Sequence, residues 1–471
     1  MLKFSRGILL LVLLNICLIF GCATSSNTTI KNFPVVVFSD VHFDPFYDPS
    51  PTTFKAFVAT EAAGWANIFK ASSIVTPSVW GKDTNYPLFA LALSSIRQNL
   101  GASPLIILTG DILSHHFAQS FYALYGSPNP PGPTDVAAMQ TFADKTVAFF
   151  LEQVRAYVGN IPVMFAVGNN DSYYDMGPDS TFLANTAEAY YANCVSGTVD
   201  HQAFLDTFLK GGYYSAQPPG TNLTVISLNT VMFSPDFTSP PDGNDAGSKN
   251  ELAWLDSTLA SAKAAGKKVW LLVHIPPGAN ILKTSQDVDE NGHIATATTT
   301  MMWNQDVQAS FLQILSKYPG LITLNLAGHT HMDEYRIMAP DDVLELTPGI
   351  TPRSGNNPAY KVLTFSSDTS PAADYTIWNY DLATDPAQFN SYYTFSTSYA
   401  MQGLLDNSLA QLFPELVTDN AKQALYRTHY YCGHTYSAPT FNPITDTNWP
   451  VFWSGIGKMG QQELIDSVNA Y

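Results

Sequence analysis

Five short polar clusters along this sequence contain the side chains that divalent cations bind in proteins. Carboxylate, amide and imidazole groups suit zinc and similar cations. A site for two cations also needs one carboxylate that can bridge them about 3.5–4 Å apart. The clusters are, in chain order, Asp40-Val41-His42, Gly110-Asp111, Gly168-Asn169-Asn170-Asp171, His274 and Gly328-His329-Thr330-His331. Each cluster alone is weak support, but the ordered set predicts a dinuclear metal site.

An apolar run directly precedes each cluster. The five runs are four to seven residues long and span residues 35–38, 105–108, 163–167, 269–273 and 321–327. Apolar runs of this length that do not alternate with polar residues are typical of strands buried on both faces. Amphipathic segments at 86–100, 136–157 and 250–265 lie between them and predict helices. Alternating strands and helices indicate an α/β protein with a mainly parallel sheet. Because ligands bind beyond the carboxyl ends of such strands, we expect the five clusters to meet there.

Long insertions interrupt this alternation. Residues 43–85 and 113–135 are predicted to be loop-like, residues 172–215 are rich in Tyr, and residues 234–249 are rich in Pro, Asp and Gly. From about residue 385 the pattern turns helical. We therefore predict a catalytic domain at 33–384 and a mostly helical C-terminal subdomain at 385–471, packed on the core.

The clusters and their flanking residues resemble a known family. The ordered set is similar to the calcineurin-like metallophosphoesterase superfamily, and more narrowly to the acid sphingomyelinase-like phosphodiesterases. The narrower resemblance is carried by residues 40–47 (DVHFDPFY), 274–278 (HIPPG), 328–335 (GHTHMDEY), 351–352 (TP) and 355–360 (GNNPAY). The resemblance implies a four-layer αββα sandwich and a metal-dependent phosphoric ester hydrolase, a phosphodiesterase.

The resemblance also implies how the metals are bound. One cation would take Asp40, His42, Asp111 and His331, and the other Asp111, Asn169, His274 and His329, with Asp111 bridging. Zinc is the expected metal, and manganese or iron are the alternatives. Two cations lower the pKa of a bridging water, so that hydroxide attacks phosphorus while the metals hold the other oxygens. Asp111 is thereby a catalytic residue as well as a ligand.

Two residues near the clusters have predicted roles on the substrate side. His115 matches a second His of the sphingomyelinase-like enzymes and is the candidate general acid or phosphate ligand; the alternative is that it caps a loop. Asn170 stands on the substrate side where many relatives have His. Asp171 is predicted to be a turn residue that orients Asn169.

Composition and charge restrict the partners. The formal net charge is −17, hydrophobic residues make up 46% and charged residues only 13%, which excludes a disordered chain and disfavours nucleic-acid duplexes as partners. The first predicted strand begins near Phe33, which leaves no room for the saposin domain that precedes the catalytic domain of acid sphingomyelinase. The expected substrates are therefore soluble phosphodiesters or phosphoanhydrides of the nucleotide type. Sphingomyelin or polyphosphate as substrate, and a non-catalytic surface-binding protein on the same fold, are the alternatives.

The N-terminus and the cysteines bear on cellular location. Residues 1–21 resemble a signal peptide, with Lys3 and Arg6 before an apolar run. Residues 19–22 resemble a bacterial lipoprotein signal in which Cys22 is acylated; ordinary cleavage or an uncleaved anchor are the alternatives. Residues 23–32 would be a tether, so we expect an exported protein, either a cell-envelope lipoprotein or a secreted or periplasmic one. Its only membrane contact would be the lipid anchor. In an oxidising compartment Cys194 and Cys432 could pair, and the alternative is two buried thiols.

Overall fold

The computed structural model describes residues 31–237, 244–339, 342–434 and 443–471. The predicted signal peptide, the acylation site at Cys22 and the first residues of the tether lie outside this part of the chain. The tether was predicted to reach residue 32, but the first strand already begins at Lys31. Among the described residues no helix combines the length and apolar character needed to cross a membrane.

Two six-stranded sheets form the centre of the protein. The strands are β1 (Lys31–Phe38), β2 (Ile106–Leu108), β3 (Val163–Phe165), β4 (Tyr214–Ala216), β5 (Leu223–Ser227), β6 (Lys268–Leu272), β7 (Ile322–Ala327), β8 (Glu334–Ala339), β9 (Asp342–Leu346), β10 (Ala359–Ser367), β11 (Asp374–Asn379) and β12 (Asn390–Thr394). The first sheet has the order β12-β11-β10-β1-β2-β3 and the second the order β4-β5-β6-β7-β9-β8.

Fifteen α-helices are described, and most of them cover the outer faces of the sheets. They are α1 (Pro51–Ala59), α2 (Trp65–Ala71), α3 (Tyr86–Gln98), α4 (Phe117–Tyr125), α5 (Pro133–Val158), α6 (Ser180–Tyr190), α7 (His201–Gly211), α8 (Asn244–Ala264), α9 (Ile281–Gln286), α10 (Gln305–Leu315), α11 (Phe395–Ser398), α12 (Leu405–Thr418), α13 (Asn420–Tyr430), α14 (Trp449–Gly457) and α15 (Gln461–Asn469).

The two sheets pack face to face, with helices outside. Between them Trp270 of β6 stacks on Phe365 of β10, with ring centroids 4.7 Å apart. The next residue of β6, Leu271, points the other way and is buried with Leu255 and Leu259 of α8. On the far side of the first sheet, the Tyr360 hydroxyl of β10 is 2.6 Å from the Ser95 hydroxyl of α3. This is the expected four-layer αββα sandwich.

The five predicted strands are confirmed as β1, β2, β3, β6 and β7, and the three predicted helices as α3, α5 and α8. Parallel pairing is restricted to β1-β2-β3 and β5-β6-β7-β9, while the remaining neighbours are antiparallel. The parallel pairing expected from the alternation is thus present at the centre of each of the two sheets, and antiparallel strands complete them.

Two boundaries predicted from the sequence need correction. The insertions at 43–85 and 113–135 are not loops throughout, because they contain α1, α2 and α4. The C-terminal subdomain was placed at 385–471, but β12 pairs with β11 and belongs to the first sheet, with Thr394 opposite Thr376. The helical part begins at Phe395, and its helix α14 packs on β8 and α9 of the core.

Of the two alternatives for Cys194 and Cys432, the structure has the two buried thiols and no bridge between them. Both are free thiols, and both are buried. Cys194 lies in a π-helical turn that extends α6, whereas Cys432 follows α13 in the C-terminal helices. Burial raises the pKa of the Cys194 thiol above its ordinary value and that of Cys432 as well, so both behave as small apolar core residues.

Candidate metal centre

The predicted ligands stand on sharp turns at the carboxyl ends of the central strands. Five of the seven adopt the left-handed backbone conformation, which is costly for residues other than Gly and concentrates at functional sites. Their φ angles are 48° for Asp40, 44° for His42, 58° for Asp111, 75° for His329 and 65° for His331. These turns reverse the chain so that side chains from β1, β2, β3, β6 and β7 point at one another.

Two glycines allow these turns to approach closely. A Cβ on Gly168 would lie 2.0 Å from Oδ1 of Asp111, and a Cβ on Gly328 would lie 2.2 Å from Oγ of Ser39 and 2.8 Å from Oδ2 of Asp40. None of these three distances is sterically allowed for a Cβ atom. The Gly in each of these two motifs is therefore needed for space at the site.

The first group of converging side chains is formed by Asp40, His42, Asp111 and His331. Their ligand atoms face one another: Nε2 of His42 is 3.3 Å from Oδ2 of Asp111 and 3.1 Å from Nε2 of His331. Oδ1 of Asp40 lies 3.6 Å from Nε2 of His331. This is the set that the resemblance assigns to one cation.

The second group contains Asp111, Asn169, His274 and His329. Nε2 of His274 is 3.2 Å from Oδ2 of Asp111 and 3.2 Å from Oδ1 of Asn169. Nδ1 of His329 is 2.8 Å from the same Asn169 oxygen. Oδ2 of Asp111 thus lies next to nitrogens of both groups, the position that a bridging carboxylate would need.

The ring nitrogens and carboxylate oxygens of the two groups are arranged as ligands for cations. The ring Nδ1 of His42 bonds the carbonyl oxygen of Leu113 at 3.0 Å, so Nδ1 carries the proton and Nε2 offers a lone pair. Nδ1 of His274 bonds the carbonyl oxygen of Thr109 in the same way at 2.7 Å. Lone pairs and carboxylate oxygens at such distances repel each other unless positive charge lies between them. The residues therefore fit a pair of divalent cations.

The pKa shifts of these side chains also favour cation binding. Burial lowers the pKa of His42 and His331 well below the ordinary value and that of His329 to about 3, so these imidazoles are neutral ligands. Burial also opposes the charged form of Asp111, but His274 and His42 hold the pKa of that carboxyl well below its usual range. Burial favours neutral His274, but the Asp111 carboxylate raises its pKa to about 9. A cation at this place would thus compete with a proton on His274.

Asp171 fixes the backbone around Asp111, and Asn170 binds the carboxylate of Asp111. Asp171 accepts hydrogen bonds from the backbone N–H groups of Asp111, Ile112 and Gly168 at 3.1, 2.7 and 2.8 Å. The structural role predicted for Asp171 is therefore present, although it fixes the turn of Asp111 as much as that of Asn169. The Asn170 amide donates to Oδ2 of Asp111 at 2.9 Å, and its backbone N–H donates to Oδ1 at 2.8 Å.

His115 lies at the edge of the first group, and a residue that sequence reasoning missed holds it there. Its ring stacks on His42 with centroids 3.9 Å apart. The two carboxylate oxygens of Asp83 accept hydrogen bonds from the backbone N–H and from ring Nδ1 of His115, both at 2.9 Å. Asp83 is buried and also lies 3.5 Å from NH1 of Arg353. With Nδ1 bound to a carboxylate, Nε2 of His115 is the nitrogen available to the site.

Two cavities open on either side of these residues. The larger has a volume of about 310 Å³ and extends toward α9, where Lys283 and Gln286 line it. The smaller, about 250 Å³, is lined by Asn170, Asp175 and Met176 among others. His115, His329 and His331 line both. A phosphate group at the cluster would therefore have room for a substituent on each side.

Comparison with known proteins shows the family of this chain. A family model described as calcineurin-like phosphoesterase matches residues 33–333. The chain is 24% identical over 417 residues to the cyclic GMP-AMP phosphodiesterase SMPDL3A of Rattus norvegicus, which covers 83% of this chain and 82% of the relative. It is 26% identical over 420 residues to the sphingomyelinase phosphodiesterase D of Dictyostelium discoideum, covering 81% and 84% respectively. A solved dimetal phosphatase from Danio rerio superposes with a TM-score of 0.40 at 12% identity, over 74% of this chain and 96% of that one.

Proposed function

Because the chain belongs to the calcineurin-like phosphoesterase family and is a metal-dependent phosphodiesterase, we propose that its substrates are soluble phosphodiesters or phosphoanhydrides of the nucleotide type. The observation that carries the reaction class is the convergence of imidazole lone pairs and carboxylate oxygens on Oδ2 of Asp111. Such a centre binds divalent cations, and the two cavities beside it have room for both substituents of a phosphodiester.

In this proposal the two groups of side chains hold one cation each. Asp40, His42 and His331 hold the first, and Asn169, His274 and His329 hold the second, while Asp111 belongs to both. Zinc suits this mixture of nitrogen and oxygen ligands, with manganese or iron as alternatives. The cations would neutralise charge on the phosphate oxygens and lower the pKa of a water molecule.

The protein's own groups orient the reactants. Asp83 accepts a hydrogen bond from Nδ1–H of His115, so that Nε2 of His115 would face the phosphate. When both ring nitrogens carry protons, His115 would give the Nε2 proton to the departing oxygen and become neutral, or donate a hydrogen bond from Nε2 to a phosphate oxygen. Asn170 keeps the bridging carboxylate in one orientation through its two hydrogen bonds to Asp111. His115 and Asn170 thus hold the proton donor and the bridging carboxylate in fixed positions, which solvent water could not do.

Nucleotide-type substrates are favoured over sphingomyelin by the character of the larger cavity. Apart from Ile281, Leu282 and Met302, its lining consists of polar, charged or Tyr side chains. These side chains offer hydrogen-bond donors and acceptors that a polar substituent can use and acyl chains cannot. The relative named as a cyclic GMP-AMP phosphodiesterase supports the same substrate class, whereas the relative named as a sphingomyelinase phosphodiesterase keeps sphingomyelin as the second candidate.

Export is the remaining part of the proposal. It rests on residues 1–22, whose n-region, apolar run and Cys22 resemble a signal sequence. Mass spectrometry of the mature N-terminus tests it: an acylated Cys22 supports a lipoprotein, and an intact Met1 on the protein from cells would refute cleavage.

A substrate panel tests the catalytic proposal. The purified protein is loaded with zinc, its metal content is measured, and it is offered bis(p-nitrophenyl) phosphate, ATP, a cyclic dinucleotide, polyphosphate and sphingomyelin. We expect about two metals per chain and turnover of the nitrophenyl diester and the nucleotides, with His42→Ala inactive and depleted in metal. Two bound metals without turnover of any ester would refute the enzyme; preferred hydrolysis of sphingomyelin would refute the substrate class.

A further inference from the structure

The two cavities beside the metal centre differ in charge. Among the described residues that line either cavity, Lys283 is the only Lys or Arg, and it lines the larger one. The smaller cavity has the carboxylate of Asp175, which lies 3.7 Å from Nδ1 of His116. The protein as a whole has a formal net charge of −17, so the charge of Lys283 is opposite in sign to that of the whole chain.

Lys283 is exposed and has no ion-pair or hydrogen-bond partner for its ammonium group among the residues that the structure describes. Its backbone is fixed, because the N–H of Lys283 donates to the side chain of Asn280 at the start of α9. Lys283 therefore has a fixed backbone and an ammonium group that is available to bind an anionic ligand.

The carboxylate in the larger cavity does not cancel this charge. Glu334 is buried, and its Oε2 lies 3.2 Å from NH2 of Arg336, which is also buried. The Glu334 charge is therefore compensated within the wall. Among the described residues that line the larger cavity, Lys283 is therefore the charged side chain without a compensating ion pair.

We propose that the larger cavity is a subsite for a second phosphate group of the substrate, recognised by Lys283. This inference rests on the proposed function and narrows it: the preferred substrates have one phosphorus at the histidine cluster and a further phosphate beyond it, as in nucleoside polyphosphates and dinucleotides. A substituent with a quaternary ammonium group, such as the choline of sphingomyelin, would meet a like charge in this cavity.

Two substrates with the same nucleoside separate this contact from the chemistry. The p-nitrophenyl ester of thymidine 5′-monophosphate contains one phosphorus, whereas thymidine triphosphate contains three. Both are assayed with the zinc-loaded full-length protein and with Lys283→Gln, Lys283→Arg and Lys210→Gln. Lys210 lies at the end of α7, is exposed, and lines neither of the two cavities, so it controls for loss of one surface charge.

We expect Lys283→Gln to lower kcat/KM for the triphosphate about fivefold to tenfold relative to the nitrophenyl ester, mainly through KM, because one partly exposed charge pair is lost. Lys283→Arg should retain most of the preference, and Lys210→Gln should leave the ratio unchanged. An unchanged ratio in Lys283→Gln, with the wild type active on both substrates, would overturn the subsite alone. A metal-loaded wild type inactive on both would overturn the proposed function and this inference with it.

Discussion

Replacing Asp83 by Asn tests whether this buried carboxylate positions His115 for the reaction. The substitution keeps the size of the side chain and removes its charge. An Asn can offer one oxygen, but not two acceptors, to the backbone N–H and ring Nδ1 that Asp83 now holds at 2.9 Å each. The imidazole would then lose the partner that fixes its tautomer, and Nε2 would no longer be held toward the phosphate.

The size of the effect follows from these two contacts. A hydrogen bond to a charged group contributes about 1.5–3 kcal/mol. At 1.36 kcal/mol per factor of ten, losing one such bond lowers kcat by about tenfold to 150-fold. Arg353→Gln is the matched control, because it removes the 3.5 Å ion pair to Asp83 but leaves both contacts to His115. Since Arg353 is one-third exposed, that variant should lose less than about fivefold.

The assay compares leaving groups and uses a double-mutant cycle. With a poor leaving group, Asp83→Asn should lower kcat strongly; with nitrophenolate, which needs no proton, the loss should be small. In a His115→Ala background the same substitution should change kcat by less than about twofold, because its target is already absent. Equal losses on both leaving groups, or additive losses in the double variant, would refute the positioning role.

Three further predictions concern the metal centre and the core. Gly328→Ala should lose metal binding and about 1–3 kcal/mol of stability, since its Cβ would lie 2.2 Å from Oγ of Ser39; Gly460→Ala, with ordinary contacts only, is the control, and equal metal content in both would contradict this. Chelation should abolish turnover and lower the melting temperature, and zinc should restore both; an unchanged melting temperature would count against the bound cations. Burial lowers the pKa of His429 from 6.5 to about 4, so the folded state prefers the neutral ring and stability falls as the pH drops below about 6.5. Between pH 7 and 5 this group should cost about 2 kcal/mol in urea unfolding. His429→Gln should show a correspondingly shallower decline, and an identical decline would contradict the assignment.

The central strands were predictable because each is apolar throughout and ends in a polar cluster. Helix α1 carries a signal that the prediction of a loop overlooked: Ser50 accepts a hydrogen bond from the N–H of Thr53, and Pro51 stands in the first turn. Helix α4 has no such signal, because it begins after His116 in a left-handed conformation without a side-chain cap. Strand β12 lies at the sheet edge, and only Tyr393 of its five residues is buried, so it lacks the continuous apolar run of the central strands.

The ligands were predictable for a different reason from the residues around them. Motifs such as Gly328-His329-Thr330-His331 place several ligands within a few residues, so the spacing of these residues in the sequence indicates the metal site. Asp83 acts on His115 across 32 residues and stands in a segment without a ligand-like pattern, so only the folded chain reveals it. Asn170 lies inside a predicted cluster, but its two hydrogen bonds to Asp111 span 59 residues, so only the folded chain reveals these bonds.

The proposed cation pair would connect the two sheets as well as catalyse the reaction. Asp111 and Asn169 follow strands of the first sheet, whereas His274 and His329 follow strands of the second. Across this junction the backbone N–H of His329 donates to Asp40 at 3.0 Å, and ring Nδ1 of His274 donates to the carbonyl oxygen of Thr109 at 2.7 Å. Because Asp111 raises the pKa of His274 to about 9, a proton on this ring supplies positive charge between the two layers when no cation is bound. Bound cations would replace this proton and join side chains of both sheets, so their free energy of binding becomes part of the free energy that holds the sandwich together.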